Sequence, residues 1–267
     1  MARFAIIAHG GAGADPQKKS NIEKAIQRGS SLLESGHSAV DAAVETCVVL
    51  ENDPSFNAGT GSVTRLDGSV LVDASIHVND GRLGFVASMP ETPNPIRVAQ
   101  VLLDEEINGL GGIGAREWAD QKGLPRSAVI PRPSGRPVSG DTVGVIAMDS
   151  DGLMVIATST GGCSNRPAGR IGDVPLPGSG FWAESDIAVA ATGIGEAITR
   201  EILSHRVHGW ISRDGMPMEH AFEKVIKTRF DKSTEVGLIG MSGDGSCVAR
   251  ANTNMPWASW DSDGIRG

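Results

Sequence analysis

The chain has 267 residues, a formal net charge of −8 and a pI near 5.3. This acidic balance argues against nucleic acid or an anionic membrane as a partner and favours a small-molecule substrate. With 40% hydrophobic residues and 35 glycines, the composition is that of a single large, turn-rich α/β domain. No apolar run reaches the length of a membrane span, and the apolar start of the chain is too short for a secretory signal. We therefore expect a cytoplasmic protein.

The three cysteines, Cys47, Cys163 and Cys247, are odd in number and lack the spacing of metal ligands. This usage suits a reducing compartment with free or buried thiols. Cys163 is a nucleophile by residue type, but the sequence indicates no His or Asn partner near it.

The first elements are a buried strand and two helices. Residues Arg3–His9 predict the strand. The Ser-x-x-Glu spacing of Ser20-Asn21-Ile22-Glu23 is that of a capping box and predicts a helix from about Asn21 to Ser35. Ser38 begins a second helix with one apolar face, and a loop rich in helix breakers follows over residues 52–61.

A hairpin and two more helices come next. Ser69–Val78 and Gly84–Ala87 read as adjoining strands, with a turn at Asn79-Asp80-Gly81. Helices are predicted over Pro95–Asp104, with proline in the first turn, and over Ala115–Lys122. Residues 126–140 are rich in Pro, Ser, Gly and Arg and predict an exposed loop where the chain is accessible to cleavage.

The second half of the chain repeats this grouping of strands in hairpins and helices in pairs. The predicted strands are Val143–Met148, Leu153–Thr158, Ile187–Thr192, Gly237–Met241 and Cys247–Ala251, and the predicted helices are Glu196–His205 and Met218–Arg229. Such grouping favours two sheets between helical layers over a βαβ wound sheet. The predicted fold is a four-layer αββα sandwich.

Gly140-Asp141-Thr142-Val143-Gly144 places a threonine at the start of a strand. A threonine hydroxyl needs a base within hydrogen-bond reach, and the sequence presents no G-x-S-x-G elbow or Ser-His-Asp grouping. Breaking the Asp141–Thr142 bond would give Thr142 an α-amine with a pKa of roughly 7.7 to 8.0, which can act as the base. The alternative is a β-branched residue that only begins a buried strand.

Several motifs occur in an order known from one family. They are His9–Gly13, Phe56–Val63, Val72–Ser75, Thr142–Gly144, Thr158–Gly162, Gly169–Pro175 and Thr192–Glu196. With these motifs the chain resembles the plant-type asparaginase and isoaspartyl peptidase family of N-terminal-nucleophile hydrolases, which also contains glycosylasparaginase and the threonine aspartases.

The resemblance implies an inactive precursor that cleaves itself before the threonine. Here this would give an α subunit of residues 1–141 and a β subunit of residues 142–267, assembled as a homodimer of cleaved αβ units (a heterotetramer). The implied activity is hydrolysis of the side-chain amide of aspartyl substrates, namely β-aspartyl dipeptides and L-asparagine, with release of L-aspartate. No cofactor is expected for catalysis.

By position in the motifs, the resemblance also assigns site residues. Thr142 corresponds to the nucleophile and Thr160 to the hydroxyl that hydrogen-bonds it. Arg170 would hold the substrate α-carboxylate, for which its planar fork is suited, and Asp173 would hold the α-ammonium group. Thr192 and Gly193 would contact the substrate and form the oxyanion hole, with Asn57 as a helper near the amide.

A structural sodium ion is implied in the loop before the Asn-Ala-Gly motif. Its ligands would be mainly backbone carbonyls, an oxygen-only set that suits a hard cation. By position these carbonyls belong to Leu50, Glu51, Asp53, Phe56, Ala58 and Thr60.

The chain departs from the family pattern in several places. The linker before Thr142 is trimmed to about residues 123–140, which puts efficient maturation in doubt. An aspartate, Asp141, precedes the nucleophile position, as it does in glycosylasparaginase, whereas isoaspartyl peptidases usually have glycine there. The motifs Thr158–Gly162 and Gly195-Glu196 instead match the isoaspartyl peptidases. Val174 replaces a common serine. These features favour isoaspartyl peptidase with asparaginase activity, and glycosylasparaginase remains the alternative.

Two alternatives belong to other functional classes. Gly109–Gly114 fits the G-x-G-x-x-G pattern of dinucleotide sites, but it is expected to follow a helix, and no acidic residue lies about twenty positions on. The other alternative is a non-catalytic relative that never cleaves itself.

Overall fold

The computed structural model describes residues 4–132 and 142–267. In the first part lie β1 (Ala5–His9), α1 (Lys19–Glu34), α2 (Ala39–Asn52), β2 (Val72–Val78), β3 (Leu83–Met89), α3 (Pro95–Leu102), β4 (Gly109–Gly111) and α4 (Gly112–Gln121). In the second part lie β5 (Val143–Met148), β6 (Met154–Thr160), β7 (Phe181–Glu184), β8 (Ile187–Gly193), α5 (Gly195–Glu201), α6 (Leu203–Ser212), α7 (Met218–Thr228), β9 (Val236–Ser242), β10 (Cys247–Ala251), β11 (Trp257–Asp261) and β12 (Gly264–Arg266).

The strands form two sheets. The larger has the order β12-β11-β1-β5-β6-β2-β3-β4, and the smaller has the order β10-β9-β8-β7. Neighbouring strands of the larger sheet run antiparallel except for β3 and β4, which are parallel. The central strands β5 and β6 come from the segment directly after Thr142, so this segment lies in the middle of the larger sheet.

Three apolar clusters fill the spaces between four layers. One packs α1 to α4 on the outer face of the larger sheet. A second lies between the two sheets and includes Ile7, Ile146 and Ile239. A third packs α5, α6 and α7 on the outer face of the smaller sheet. The predicted αββα sandwich is confirmed.

Alternation along the central strands decides which side chains enter the space between the sheets. In β5, Val143, Val145 and Ala147 pack toward the helices, whereas Ile146 and Met148 pack toward the smaller sheet. Successive side chains of a strand point to opposite faces. Thr142 has the same parity as Ile146, so it belongs to the face between the sheets.

The two predicted helix starts have different outcomes. Ser38 caps α2 as expected, since its hydroxyl accepts a hydrogen bond from the Asp41 amide at 3.1 Å. The capping box at Ser20 is wrong. A 3-10 turn over Pro16–Lys18, capped by Asp15, already starts the helical run, so Ser20 falls inside α1 and bonds to its neighbour Asn21.

The helix predicted over Glu196–His205 is divided in two. Ile202 has φ 46° and ψ 53°, the left-handed conformation, and separates α5 from α6. Because β-branched residues rarely adopt this conformation, the apolar pattern gave no sign of the break. The short strands β4, β7, β11 and β12 were not predicted.

Within residues 4–132 and 142–267, no helix has both the length and the apolar character required to cross a bilayer.

Replacing Ile202 with glycine should stabilise the protein. The side chain is 52% exposed, so little apolar burial is lost, whereas the left-handed backbone strain is relieved. We expect a gain of about 1 kcal/mol in the free energy of unfolding, measured by urea denaturation. As a control, Ile113→Gly alters a similarly exposed isoleucine in the first turn of α4, with 56% exposure, and should lose up to about 0.5 kcal/mol. A loss of stability in Ile202→Gly would contradict the strain argument.

Candidate active site

Two threonines meet at one end of the space between the sheets. Thr142 directly precedes β5, and Thr160 is the last residue of β6, its partner strand. The Thr142 hydroxyl donates to Thr160 Oγ1 at 3.2 Å, and the same oxygen accepts from the Gly162 amide at 3.0 Å. Both side chains are buried. The Thr142 hydroxyl is thus held by a neighbour that is itself fixed by the following loop.

His9 is the histidine nearest to Thr142 along the sheet. It pairs with Gly144 across β1 and β5, and its Nδ1 accepts from the Gly11 amide at 3.1 Å. Burial lowers the pKa of His9 to about 3, and its contact with the Thr142 backbone opposes this only in part. The ring is therefore neutral at physiological pH, and so low a pKa is poorly matched to accepting a proton there.

Arg170 is bound on one edge by a carboxylate. Its Nε donates to Glu196 Oε1 at 3.1 Å and its Nη2 to Glu196 Oε2 at 2.9 Å, a two-point contact. Burial acts to lower the pKa of Arg170, but the hydrogen bonds and charge of Glu196 raise it overall. A guanidinium has five N–H donors, so the Nη1 side of Arg170 keeps donors for another carboxylate.

Asp173 lies beside Arg170 and is buried. Among the described residues, its Oδ2 has no hydrogen-bond partner. Burial raises the pKa of Asp173 to about 7; its own backbone amide and Arg170 oppose this rise, and the negative charges of Asp73 and Glu196 add to it. A cationic group placed at Oδ2 would favour the ionised carboxylate.

Gly195 allows the two charged groups to approach each other. A Cβ atom at this position would lie 2.8 Å from Arg170 Nη2 and 2.8 Å from Asp173 Oδ1. A side chain here would displace both groups, so the absence of a Cβ is a geometric requirement of the pair.

Thr192 and Gly193 come from the smaller sheet, at the end of β8. Thr192 Oγ1 accepts from the Ala12 amide at 3.2 Å, which links β8 to the glycine turn after β1. Gly193 lines the same cleft as Thr142. Gly193 is therefore part of the cleft wall, and Thr192 is fully buried next to it.

Asn57 is fully buried and lies behind the loop that follows Thr160. Its Nδ2 donates to the Gly162 carbonyl at 2.6 Å, and its Oδ1 accepts from the Val63 amide at 3.0 Å. In this structure Asn57 holds that loop in place. Its role near the scissile amide stays a prediction.

The cleft brings together most of the residues expected at the site. Its lining consists of Thr142, Thr160, Gly162, Cys163, Arg170, Gly172, Asp173, Gly193 and Gly195. Asn57 and Thr192 lie behind this lining. Asp141, the other half of the predicted cleavage site, lies outside the described residues.

Sequence reasoning gave no role to Glu196, although the residue is part of a quoted motif. Its contact with Arg170 bridges 26 positions in sequence, so no local spacing could have indicated it. Arg65 and Asp73, two buried charged residues near the cleft, were also given no role from the sequence.

In the loop predicted to bind sodium, three of the expected carbonyls already accept backbone hydrogen bonds, and sodium binding stays a prediction. The carbonyls of Leu50, Glu51 and Asp53 each accept a backbone hydrogen bond, at 3.3, 2.8 and 3.1 Å. A carbonyl oxygen has two lone pairs, so each can also contact an ion. The six predicted residues would supply oxygen ligands only.

A threonine hydroxyl at the start of a central strand, in a sandwich of two sheets between helical layers, defines a class of enzymes. It is the architecture of the N-terminal-nucleophile hydrolases, in which the first residue of a strand supplies both nucleophile and amine base.

Comparison with known proteins identifies the family. The sequence model of the family described as asparaginase matches residues 2–130 and 131–266. The chain is 33% identical over 289 residues to the isoaspartyl peptidase/L-asparaginase of Danio rerio, which covers 95% of this chain and 91% of the relative. The chain belongs to the asparaginase family and is a hydrolase.

Two further relatives are similar over nearly their whole length. The chain is 29% identical over 299 residues to the isoaspartyl peptidase of Escherichia coli, covering 97% of this chain and 93% of the relative. It is 34% identical over 296 residues to the plant-type L-asparaginase of Pyrobaculum calidifontis, covering 97% of each.

Proposed function

We propose that this chain hydrolyses the side-chain amide of aspartyl substrates, β-aspartyl dipeptides and L-asparagine, with Thr142 as the nucleophile. The observation that carries the proposal is the contact between the Thr142 and Thr160 hydroxyls in a cleft that also contains Arg170 and Asp173. A nucleophile therefore lies beside two opposite charges that match an amino-acid head group.

The reaction proceeds through an ester of Thr142. The α-amine of Thr142 takes the hydroxyl proton while Oγ1 attacks the amide carbon, and the resulting oxyanion lies at Thr192 and Gly193. The amine leaving group departs with that proton. Water, deprotonated by the same α-amine, then attacks the ester carbonyl, which releases L-aspartate and restores the Thr142 hydroxyl.

Charge complementarity supports the choice of substrate. The Nη1 side of Arg170 binds the α-carboxylate, and Asp173 binds the α-ammonium group. These groups lie at the end of the substrate that β-aspartyl dipeptides, L-asparagine and glycosylated asparagine share. Several relatives are isoaspartyl peptidases or L-asparaginases by name, and this favours those two substrates; glycosylasparaginase is the second candidate.

Maturation, assembly and location belong to the same proposal. The chain cleaves itself between Asp141 and Thr142, giving subunits of residues 1–141 and 142–267, and two such αβ units form a dimer in the cytoplasm. A sodium ion on the carbonyls of residues 50–60 would stabilise the loop that contains Asn57. No cofactor takes part in the reaction.

Thr142→Ala should abolish both cleavage and hydrolysis, because it removes the hydroxyl that both steps use. Cleavage is measured by a denaturing gel with N-terminal sequencing. Hydrolysis is measured with a β-aspartyl dipeptide, L-asparagine and a glycosylated asparagine at matched concentration. Thr142→Ser keeps the hydroxyl and amine and should retain both activities at a reduced rate. Hydrolysis by Thr142→Ala would exclude Thr142 as nucleophile, and preference for the glycosylated substrate would favour the second candidate.

Binding of L-aspartate should weaken as the pH falls below about 7. The pKa of Asp173 is about 7 in the free protein, and an ammonium ligand requires its ionised form. Affinity should therefore fall toward tenfold per pH unit below that value and level off above it. Calorimetric titration of the cleaved enzyme checks this.

Succinate lacks the ammonium group and is the matched ligand for this titration. Its affinity should not fall with pH in the same range. A flat affinity for L-aspartate between pH 5.5 and 8.5, values chosen to lie about 1.5 units either side of neutrality, would contradict the role of Asp173.

Glu196→Gln should weaken L-aspartate binding by about tenfold, since charge-assisted hydrogen bonds that fix Arg170 are lost. Inhibition constants of L-aspartate and β-alanine give the measurement. β-Alanine lacks the α-carboxylate, so its inhibition should change little. The control Glu219→Gln alters an exposed glutamate paired with Arg250. Tighter binding of L-aspartate to Glu196→Gln would mean that Glu196 competes with the ligand instead of orienting Arg170.

A further inference from the structure

Arg65 is a buried arginine behind the cleft. It is 3% exposed, and its Nη2 donates to the Leu71 carbonyl at 3.0 Å while Nη1 donates to the Cys163 carbonyl at 3.4 Å. The next residue, Leu66, donates its amide to the Arg166 carbonyl at 3.0 Å. Residues 65 and 66 therefore hold the segment 163–166, which continues from the wall of the cleft.

The guanidinium of Arg65 also lies against Gly162. A Cβ atom at this glycine would be 2.3 Å from Arg65 Nη1. The Gly162 amide is the group that donates to Thr160 Oγ1, which in turn accepts from Thr142. Arg65 thus supports the backbone that fixes the partner of the Thr142 hydroxyl.

Asp73 supplies the opposite charge. It is fully buried on β2, in register with Thr160 on β6, and the next pair on that face, Ser75 and Thr158, is in hydrogen-bond contact at 2.6 Å. Burial raises the pKa of Asp73 to about 6, and the charge of Arg65 is among the groups that oppose this rise. Among residues 4–132 and 142–267, Asp73 Oδ2 and Arg65 Nε have no hydrogen-bond partner.

The backbone is distorted to hold Asp73. The register between β2 and β3 shifts at this point, Ser88 has φ 51°, and its amide donates to Asp73 Oδ1 at 2.6 Å. Left-handed conformations of non-glycine residues are unfavourable and concentrate at functional sites. This bulge maintains a buried carboxylate whose other oxygen has no described partner.

We propose that Arg65, with Asp73 as its countercharge, is a positioning residue that fixes residues 161–163 and thereby the Thr160 hydroxyl that orients Thr142. This inference rests on the proposed function for its catalytic consequence. Small displacements of a positioned group reduce rates strongly, by on the order of 100-fold for about 1 Å. Loss of Arg65 should therefore lower kcat more than it changes KM.

The test compares Arg65→Met with the double variant Arg65→Met/Asp73→Asn. The single variant removes one of the two cations, Arg65 and Arg170, that favour the ionised form of the buried Asp73 carboxylate, and it should lose thermal stability. The double variant removes both charges with side chains of similar shape and should regain most of that stability. The control is Arg82→Met. It removes an arginine paired with Asp80 in the turn between β2 and β3, at the end of this hairpin that is far from Asp73.

Two readouts separate positioning from stability. Per molecule of cleaved enzyme, kcat should fall on the order of 10- to 100-fold in both the single and the double variant. Labelling of the Cys163 thiol by a small alkylating reagent, located by mass spectrometry, should become at least about tenfold faster as the segment loosens. Labelling does not depend on hydrolysis.

The outcomes are distinct. If the double variant regains wild-type kcat together with its stability, Arg65 has only a structural role and the proposal is overturned. Unchanged labelling of Cys163 would overturn it regardless of activity. If the wild-type protein neither cleaves nor hydrolyses these substrates while labelling still increases, the proposed function fails and the anchoring by Arg65 stands.

Discussion

The site depends on the register of β5 against β6. Val143 pairs with Ser159 and Gly144 with Thr158, and this pairing directs both Thr142 and Thr160 into the space between the sheets. A slip of one residue would turn Thr160 toward the helices and Ser159 toward the cleft. Ile146, Met148 and Ile156 occupy the same face deeper in the sandwich, so burial of these side chains fixes the register that the hydroxyl pair needs.

The space between the sheets changes character along its length. It is apolar in the middle, and at one end it contains hydroxyls and buried charges. Burial raises the pKa of Asp173 to about 7. Once this carboxyl is ionised, it lowers the free energy of unfolding by about 4 kcal/mol. Burial of the apolar clusters offsets this cost, and a bound ammonium group would reduce it. The charges that destabilise the free protein are therefore the ones suited to a zwitterionic ligand.

Much of this arrangement follows from local sequence patterns. Short apolar runs bounded by turn residues predict β5, β6 and β9, and the order of short motifs around Thr142 indicates most of the residues that line the cleft. Features without a local signal were not predictable. Ile202, for example, ends a helix through a strained backbone. The start of the first helical run did have a local signal, Asp15 as N-cap with Pro16 in the first turn, but the capping-box pattern at Ser20 was preferred to it.

The contacts of the buried charges were also out of reach of sequence patterns. Glu196 and Arg65 act on groups far away in sequence, so their partners are set by the packing of loops. The three-residue strand β4 and the parallel pairing it makes with β3 likewise depend on tertiary contacts, because so short a segment has no periodicity of its own.

Gly195 lies between Arg170 Nη2 and Asp173 Oδ1, and a single added carbon would approach both within 2.8 Å. The positive and negative halves of the site are therefore joined at one backbone position. A side chain gained at this position would displace Arg170 and Asp173 together, so recognition of the carboxylate and of the ammonium group would be lost in one step. A site for a ligand with only one of the two charged groups therefore requires a change at Arg170 or at Asp173, with Gly195 retained.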